Sequence, residues 1–519
     1  MSMTFDADCI VIGSGPAGVS VTSPLVQSGL QVLMLDGASD RSATHRGSPE
    51  PWQRMLGSEL EALLPEDGLS PKLRTPAARQ IMDAFQRAND IRGEGFVTIG
   101  SLGRGGLSRI WGGFVCEFDA QDIEGWPLSI EDLRRSYRTV TDRMGVSGSS
   151  SDEMAAFFGC SGEVLPALPI GPGAAHMLRR YRPGSQGHEF GLGIARNAIL
   201  TLARDGRNAC DLRNQCLWGC DRGAVYDARF DLDQLKRWST FRLADNARVV
   251  RIAQARDGWQ VLTEDGRTFA ARRIMVAAGF LATAALVIPL LPNLPPELRL
   301  LNSPVLAMPL LVPARLGRPE PPKAFSLAQL GYRLQYGPAH LDYVSGAVYE
   351  IAGLPGSSFT ARLPLGRRAG SAFFGAISSA LLVSTGYFPG CESDNRLRWR
   401  RAGDAPSIVV HGHVSADLKV KADGVIRRLR KIWRKLGAFA LPGAAMAKPG
   451  TDVHFGGLFP MGAPGPHGTD EMGEFVATPG IHAVDGSVLP TLPSKYVTLT
   501  IMANADRIGR RIAALPRAP

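Results

Sequence analysis

Three glycines near the N-terminus stand at positions from which backbone amides could bind phosphate. Gly13, Gly15 and Gly18 form the pattern G-x-G-x-x-G directly after an apolar run. Such glycines permit a tight turn, close approach to a pyrophosphate and close packing of a helix on a strand. A second apolar run, 32–35, ends at Asp36, whose carboxylate could accept hydrogen bonds from ribose hydroxyls and repel a 2′-phosphate. This order predicts a Rossmann dinucleotide-binding unit, with the phosphates at a helix N-terminus, and it suits FAD and NAD equally.

The size and composition are those of a multi-lobed globular enzyme. The chain has 519 residues, too many for one core, and its 59 glycines and 37 prolines indicate a loop-rich protein. The net charge of +10 could favour an anionic substrate or a membrane surface. A solvated basic face is the interpretation that we favour, and no nucleic-acid-binding motif is found.

The seven cysteines do not have the pattern of a disulfide framework. Cys210, Cys216 and Cys220 form a loose group with no histidine nearby, whereas zinc and iron–sulfur sites need four ligands in tight pairs. We therefore favour buried or redox-inactive thiols over a metal site here, and we predict no metal elsewhere.

Targeting signals are also not recognised. The first predicted strand begins within the first ten residues, which leaves no room for a signal peptide. The apolar runs 284–291 and 372–383 are too short or too polar to span a bilayer. The sequence therefore predicts a cytoplasmic protein.

Residues 100–113 form a second glycine-rich stretch, in which four apolar side chains lie between six glycines. This composition predicts close backbone approach to a flat or anionic ligand. Further on, Ser129 has the pattern of a helix N-cap, and the helix that follows would carry Leu133, Tyr137 and Val140.

Two later regions have clear periodicity. Asp-Gly pairs at 257–258 and 265–266 divide residues 247–283 into alternating strands, which predicts hairpins that lead into a buried strand at 274–279. We expect that strand to return to the nucleotide-binding sheet. Residues 415–436 predict a basic amphipathic helix, for which a packed surface helix is favoured over contact with acidic lipid or a phosphorylated substrate.

Other stretches are less informative. Residues 40–96 are polar and proline-rich, with weak helical spacing at 77–88, and would form a lid or a subunit contact. Residues 145–200 are interpreted as a linker rich in glycine and proline.

Taken in chain order, these motifs resemble the glucose–methanol–choline (GMC) oxidoreductases, FAD enzymes that oxidise alcohols. The segments that carry the resemblance are 13–18, 105–113, Val249, 277–283, 393–396, 454–462, 484–490 and 498–503. Details of the glycine loop and of the Trp-Pro pair at 126–127 are similar to the sugar-oxidising branch that contains gluconate dehydrogenase and pyranose oxidase.

The resemblance implies a role for each matching residue. His454 occupies the family's catalytic position and would take the substrate hydroxyl proton as hydride leaves for flavin N5, a task that suits imidazole with its ordinary pKa of about 6.5. Tyr496 would orient the substrate. The implied cofactor-binding residues are Gly13, Gly15, Gly18, Asp36, Gly106, Ser108, Trp111, Gly112, Val249, Ala278, Gly279, Asp485 and Thr498.

Two positions depart from the family pattern. The family usually carries a second histidine or asparagine where this chain has Tyr496, and proline where it has Val497. A tyrosine hydroxyl both donates and accepts hydrogen bonds, so either it takes over the partner role or the two-group clamp is lost. Some sugar oxidases attach FAD through a histidine just before the loop tryptophan. Here that residue is Ile110, which implies non-covalent FAD.

The predicted fold is α/β: a discontinuous Rossmann-like FAD domain with an inserted α+β substrate domain on a mixed or antiparallel sheet. The predicted segments are 1–150 for the first part of the FAD domain with an insert at 40–96, 151–205 for a linker and the start of the substrate lobe, 206–295 for the second part of the FAD domain, 296–445 for the substrate domain, and 446–519 for the third part with His454.

The predicted function is oxidation of a carbohydrate- or glycoside-type alcohol to a carbonyl, by a dehydrogenase rather than an oxidase. The predicted partner is this small molecule, with an unknown electron acceptor, no nucleic acid and no favoured membrane contact. Two alternatives stay open: flavin-dependent lyase or decarboxylase chemistry, which the substitution at Tyr496 permits, and a non-catalytic FAD-binding protein.

Overall fold

The computed structural model describes residues 5–38, 73, 75–159, 161–187, 189–216, 219–351, 364–402 and 405–516. Its α-helices are α1 (Pro16–Gln27), α2 (Pro76–Ala88), α3 (Ile130–Met144), α4 (Ala155–Phe158), α5 (Pro172–Arg180), α6 (Ala228–Leu235), α7 (Phe280–Val287), α8 (Arg367–Ile377), α9 (Ala416–Lys435) and α10 (Thr498–Ala513).

The strands form three larger sheets and one short pair. In chain order they are β1 (Ala7–Ile12), β2 (Val32–Leu35), β3 (Ile91–Glu94), β4 (Val146–Ser147), β5 (Val164–Leu165), β6 (Phe190–Ile194), β7 (Phe241–Ala244), β8 (Val249–Ala255), β9 (Gly258–Thr263), β10 (Thr268–Val276), β11 (Glu297–Asn302), β12 (Val305–Leu311), β13 (Leu330–Gln335), β14 (Tyr343–Glu350), β15 (Leu381–Tyr387), β16 (Asn395–Ala402), β17 (Ala405–His411), β18 (Phe439–Ala440), β19 (Ala445–Met446), β20 (Phe455–Gly456) and β21 (Ile481–Ala483).

The nucleotide-binding sheet has the strand order β7-β2-β1-β10-β9-β8, and β21 also pairs with β10. Its central strands are parallel, as expected for strands buried on both faces by helices, while β8, β9 and β10 form the antiparallel meander predicted from the two Asp-Gly pairs. Strand β10 continues from this meander into the parallel core beside β1, as predicted. α1 packs against α10, so the two ends of the chain meet on this sheet.

The second sheet has the order β18-β12-β15-β14-β13-β6, and β19 also pairs with β12. All of its pairings are antiparallel. α9 covers it with an apolar stripe that includes the fully buried Trp433, and Ser415 caps the helix by accepting from the Leu418 N–H at 3.1 Å. The predicted helix at 415–436 is therefore confirmed as a packed surface helix.

A third sheet, of order β20-β11-β16-β17-β3, draws strands from distant parts of the chain. It includes β3, which lies in the N-terminal third of the chain, and β20, which begins directly after His454. The segment predicted as a single substrate domain therefore divides its strands between two sheets. The exact domain boundaries stay predictions.

The predicted fold class, a discontinuous Rossmann-like domain with an inserted domain on an antiparallel sheet, is confirmed. The interpretation of 145–200 as a linker was wrong, because this region contains α4, α5 and the edge strand β6. These elements are short, and β6 has the glycine-rich sequence FGLGI, so their stability comes from tertiary contacts rather than local pattern.

The helix predicted at 77–88 is present as α2, which begins at Pro76 after the N-cap Thr75. Most of the predicted lid or subunit contact, residues 39–72 and 74, lies outside the described residues. Among the helices that the structure describes, none is both long enough and apolar enough to cross a membrane.

Candidate functional site

A cavity of about 410 Å³ extends from the glycine turn after β1 to His454 and Tyr496. Its walls come from both ends of the chain and from the middle, because β1, β10 and the N-terminus of α10 converge there. Of the predicted cofactor-binding and catalytic residues, all but Gly18 line this cavity.

The glycine fingerprint makes the narrow turn that the sequence predicted. Gly13 has φ of +102°, and a Cβ there would lie 2.5 Å from the carbonyl oxygen of Ala277. A Cβ on Gly18 would lie 1.9 Å from the Gly13 oxygen, so Gly18 closes α1 onto the turn from behind the cavity. Gly15 is the N-cap of α1 and faces Gly106 across the cavity wall. The first amides of α1 therefore point towards the space that a pyrophosphate needs.

Asp36 lies at the carboxyl end of β2 and is 4% exposed. Its Oδ1 accepts from the Ala38 N–H at 2.7 Å, which fixes the carboxylate at the cavity wall. Burial raises the pKa of Asp36, and hydrogen bonds from Ser14 and Ala38 oppose that rise. Val249, the first residue of β8, is buried beside this end of the cavity.

The glycine-rich loop 100–113 covers the middle of the cavity. The Gly105 N–H donates to Ser14 Oγ at 2.9 Å, and Ser108 Oγ donates to the Gly105 oxygen at 2.6 Å. Trp111 Nε1 donates to the Tyr226 carbonyl at 2.9 Å, so its ring edge is fixed in the wall. A Cβ on Gly112 would have no neighbour within 4 Å, which shows that this residue borders open space.

Asp485 acts through the turn that begins α7 rather than through a free carboxylate. Its Oδ2 accepts from the Gly279 N–H at 3.1 Å and from the Thr283 hydroxyl at 2.5 Å, and its Oδ1 accepts from the Ser487 N–H at 3.0 Å. Gly279, with φ of +88°, is the N-cap of α7, and Ala278 precedes it in the wall. Thr498 begins α10 at the opposite wall.

His454 and Tyr496, 42 positions apart in sequence, meet at the far end of the cavity. Their ring centroids are 5.5 Å apart, and both rings contact Tyr387, at 4.9 Å from His454 and 5.0 Å from Tyr496. Phe114 also packs against Tyr496, with ring centroids 4.3 Å apart. The imidazole therefore lies in a cluster of aromatic rings.

The hydroxyls of this cluster stay protonated at neutral pH. Burial raises the pKa of Tyr496 well above its usual value, and the nearby Tyr349 and Tyr387 add to that rise. Burial likewise raises the pKa of Tyr349 to about 12 and raises that of Tyr387 further. Tyr496 can therefore donate or accept a hydrogen bond but cannot act as a general base in this environment.

Sequence reasoning missed three residues of this end: Tyr349, Tyr387 and Asp452. Asp452 is 4% exposed, and burial raises its pKa to about 7, against hydrogen bonds from Asn302, His454 and Ser303. The two tyrosines lie on β14 and β15 of the second sheet, and nothing in their local sequence pattern indicates a functional role. The Asp-x-His spacing was the one available signal, because an aspartate commonly bonds the amide two residues on.

The three grouped cysteines lie away from this site in a small apolar cluster that includes Phe325 and Leu327. Burial raises the pKa of Cys216 to about 12, which suits an inert thiol. Among the described residues, Asp119, Asp122 and His340 form a group with the spacing of metal ligands. The Lys495 ammonium binds both carboxylates of that group, at 2.9 and 2.6 Å. The absence of a metal stays a prediction.

Replacing Asp36 with alanine is expected to weaken FAD binding by about 10- to 100-fold, the value of a hydrogen bond to a charged group. The measurement is a fluorescence titration of apoprotein with FAD. Asp8→Ala is the matched control, because Asp8 lies at the amino end of β1, whereas the glycine turn follows its carboxyl end. The Asp8 side chain accepts a hydrogen bond from the exposed Gln31 N–H at 2.8 Å. Equal affinities for both variants would contradict the ribose-binding role of Asp36.

Comparison with known proteins finds chains that are similar to this one over nearly its whole length, and two of them are described here. Paromamine 6′-oxidase of Streptomyces fradiae is 26% identical over 538 aligned positions, which cover 98% of this chain and 91% of that protein. The crystal structure of pyridoxine 4-oxidase from Mesorbium loti superposes with a TM-score of 0.60 at 14% identity, over 99% of this chain and all of the other. Comparison with models of protein families finds no match.

The superposition on pyridoxine 4-oxidase shows that the two proteins share a fold. The similarity to these two oxidases supports the resemblance of the chain's motifs to the GMC oxidoreductases. The closer similarity to the gluconate dehydrogenase and pyranose oxidase branch stays a prediction.

Proposed function

We propose that this chain binds FAD non-covalently and oxidises a CH–OH group of a small carbohydrate- or glycoside-type alcohol to a carbonyl. The observation that carries the proposal is one continuous cavity. Asp36 and the turn with Gly13 and Gly15, called the glycine cradle, lie at one end, and His454 lies beside Tyr496 at the other. An FAD molecule that lies along this cavity, with its pyrophosphate at the glycine turn, would have its flavin ring near the His454 imidazole.

The residues present fit FAD. A Cβ on Gly13 would lie 2.5 Å from the Ala277 oxygen, and one on Gly106 would lie 3.2 Å from the Gly15 Cα, so these glycines keep the turn narrow. Asp36 offers an acceptor to ribose. Ile110 lines the cavity at the position where some sugar oxidases have a histidine that is covalently bonded to FAD. The isoleucine side chain has no nucleophilic atom. These features support non-covalent binding.

Bound FAD supplies the acceptor for the hydride, and therefore for the two electrons that leave the alcohol carbon. The imidazole of His454 takes the hydroxyl proton on a ring nitrogen, since His454 is the one histidine among the described residues that line the cavity. The neutral hydroxyl of Tyr496 donates to the substrate oxygen and orients it. Phe114 and Tyr387 pack around these groups and exclude water, which strengthens both polar interactions.

The substrate class is supported by the two similar proteins. Both are named as oxidases, one for position 6′ of paromamine and the other for position 4 of pyridoxine. The carbohydrate or glycoside is our proposal for this chain, in which Tyr349, Tyr387 and Tyr496 line the cavity. A tyrosine hydroxyl can both donate a hydrogen bond to a polyol and accept one from it.

The electron acceptor is a separate question. The sequence predicted a dehydrogenase, whereas the names of both similar proteins favour molecular oxygen as acceptor. Parallel assays of hydrogen peroxide release in air and of artificial-acceptor reduction without oxygen would separate the two. An oxidase would produce peroxide in proportion to substrate consumed.

The central experiment is an anaerobic titration of the purified flavoprotein with a panel of sugars, glycosides and simple alcohols. The proposal expects the visible flavin absorbance to bleach with at least one of them. Turnover of a substrate without bleaching would instead support lyase or decarboxylase chemistry. Correctly folded protein that takes up no FAD would refute the proposal.

Replacing Tyr496 with phenylalanine is expected to lower kcat/KM by about tenfold, the value of one hydrogen bond, while FAD content is unchanged. The ring is kept, so its packing on Phe114 and Tyr387 is preserved. Tyr336→Phe is the matched control, since it removes a hydroxyl that donates to Glu392 at 2.9 Å, and Tyr336 is not among the described residues that line the cavity. Equal losses in both variants would mean that Tyr496 has no special role in orienting substrate.

A further inference from the structure

Val453 has a backbone conformation that valine rarely adopts. Its φ is +62°, and among the described residues it is the one β-branched side chain in the left-handed region. A branched Cβ is crowded there, so the conformation persists only when surrounding contacts impose it. Val453 lies directly before His454 and also lines the cavity, so its conformation decides where the imidazole points.

Asp452 makes the contacts that impose this turn. Its Oδ2 accepts from the His454 N–H at 3.2 Å and from the Ser303 N–H at 3.0 Å, so it spans Val453 and ties both sides of it together. Its Oδ1 accepts from Asn302 Nδ2 at 2.9 Å. The carboxylate therefore joins the turn to the end of β11.

A buried amide chain stands behind Asp452. Asn395 Nδ2 donates to Asn302 Oδ1, and Asn395 Oδ1 accepts from the His413 N–H at 3.1 Å. Asn302 and Asn395 are 1% and 0% exposed. Because each amide is satisfied on both sides, Asn302 has a fixed orientation and presents its N–H to Asp452.

We infer that Asp452 is a positioning residue, which holds Val453 in its left-handed conformation and thereby directs the His454 imidazole between Tyr387 and Tyr496. It does not touch the reacting atoms in this role. The inference rests on the proposed alcohol oxidation for its kinetic consequences, whereas the placement of the ring is independent of that reaction.

The kinetic test compares Asp452→Ala, Asp452→Asn and the double variant Asp452→Ala/Val453→Gly. Asp452→Ala is expected to lower kcat by about 100-fold, the effect of an ångström of misplacement, with little change in KM. Glycine adopts the left-handed region without strain, so the double variant should recover about tenfold of that loss. Asp452→Asn keeps an oxygen acceptor for the two amides and should lose less than Asp452→Ala.

Asp470→Ala is the matched control. Asp470 Oδ1 accepts from the Met472 and Glu474 N–H groups at 2.7 and 2.8 Å in a separate turn. Its removal costs the same type of bond but should leave kcat near the wild-type value. A purely structural role of Asp452 would instead give equal effects in both aspartate variants and no recovery by glycine at position 453.

The second readout needs no turnover. Protein labelled at histidine Cε1 gives an NMR resonance for His454, which is assigned by its loss in His454→Gln. The neighbouring rings of Tyr387 and Tyr496 should displace the chemical shift of this resonance from that of an exposed histidine. We expect Asp452→Ala to abolish this displacement and the double variant to restore it. An unchanged resonance in Asp452→Ala would overturn the inference. Loss of folding in both Asp452→Ala and Asp452→Ala/Val453→Gly would overturn it as well. If the wild type oxidises no alcohol, the proposed function fails, but this spectrum still decides the turn.

Discussion

Replacing His454 with glutamine is expected to lower kcat by about 10²- to 10⁴-fold, the contribution of a well-placed general base. Glutamine has similar size and hydrogen-bonding groups but no basic nitrogen, so the aromatic cluster around position 454 should persist. FAD content should not change, because His454 lies at the opposite end of the cavity from Asp36 and the glycine cradle. The measurement is the rate of flavin reduction by substrate in an anaerobic stopped-flow experiment.

His413→Gln is the matched control, because that histidine side chain is exposed and lies outside the cavity lining of the described residues. It should reduce flavin at the wild-type rate. Retention of most of the activity in His454→Gln would refute the assignment of His454 as base. Another group would then have to take the substrate proton.

Replacing Lys495 with methionine is expected to lower the free energy of unfolding by about 3 to 5 kcal/mol, the cost of leaving a buried charge without its partner. Lys495 is 1% exposed, and its ammonium contacts Asp122 Oδ2 at 2.6 Å and Asp119 Oδ2 at 2.9 Å. Asp122 is fully enclosed and also accepts from the Tyr343 hydroxyl at 2.9 Å. Methionine matches the lysine stem but leaves that carboxylate uncompensated.

The pH dependence gives this prediction a sign. Burial disfavours the charged form of Lys495, but Asp122 and Asp119 outweigh it and raise its pKa, so its stabilising contribution is present at neutral pH and lost as pH rises through that raised value. Burial opposes ionisation of Asp119, yet Lys495 lowers its pKa overall, so that contribution is lost only as pH falls through the lowered value.

Urea denaturation at several pH values measures both effects. Lys236→Met is the matched control, since Lys236 pairs with Asp233 at 3.2 Å and their side chains are 43% and 61% exposed. That variant should lose at most about 1 kcal/mol. Similar losses in both lysine variants would contradict the burial argument. Because Tyr496 follows Lys495 directly, kcat of the Lys495 variant should also fall.

The sequence alone determined the parts of this protein that depend on neighbouring residues. The turn at Gly13, the acid at the end of β2, the two hairpins before β10 and the apolar stripe of α9 each depend on backbone freedom or periodicity within about a dozen residues. Such features follow from local sterics and from burial of one face, which a linear pattern expresses directly. The family resemblance then located His454 and Tyr496 by number.

The tertiary structure alone decided what surrounds those two residues. Tyr349 and Tyr387 reach the cavity from a sheet whose edge strand β6 was interpreted as linker, and Asp452 acquires its role from Asn302, 150 positions away. Contacts between residues so distant in sequence depend on how sheets pack, since side-chain packing and buried hydrogen bonds form only when the chain closes on itself. For the same reason, the left-handed Val453 could not be foreseen: its own preference opposes the conformation that its neighbours impose.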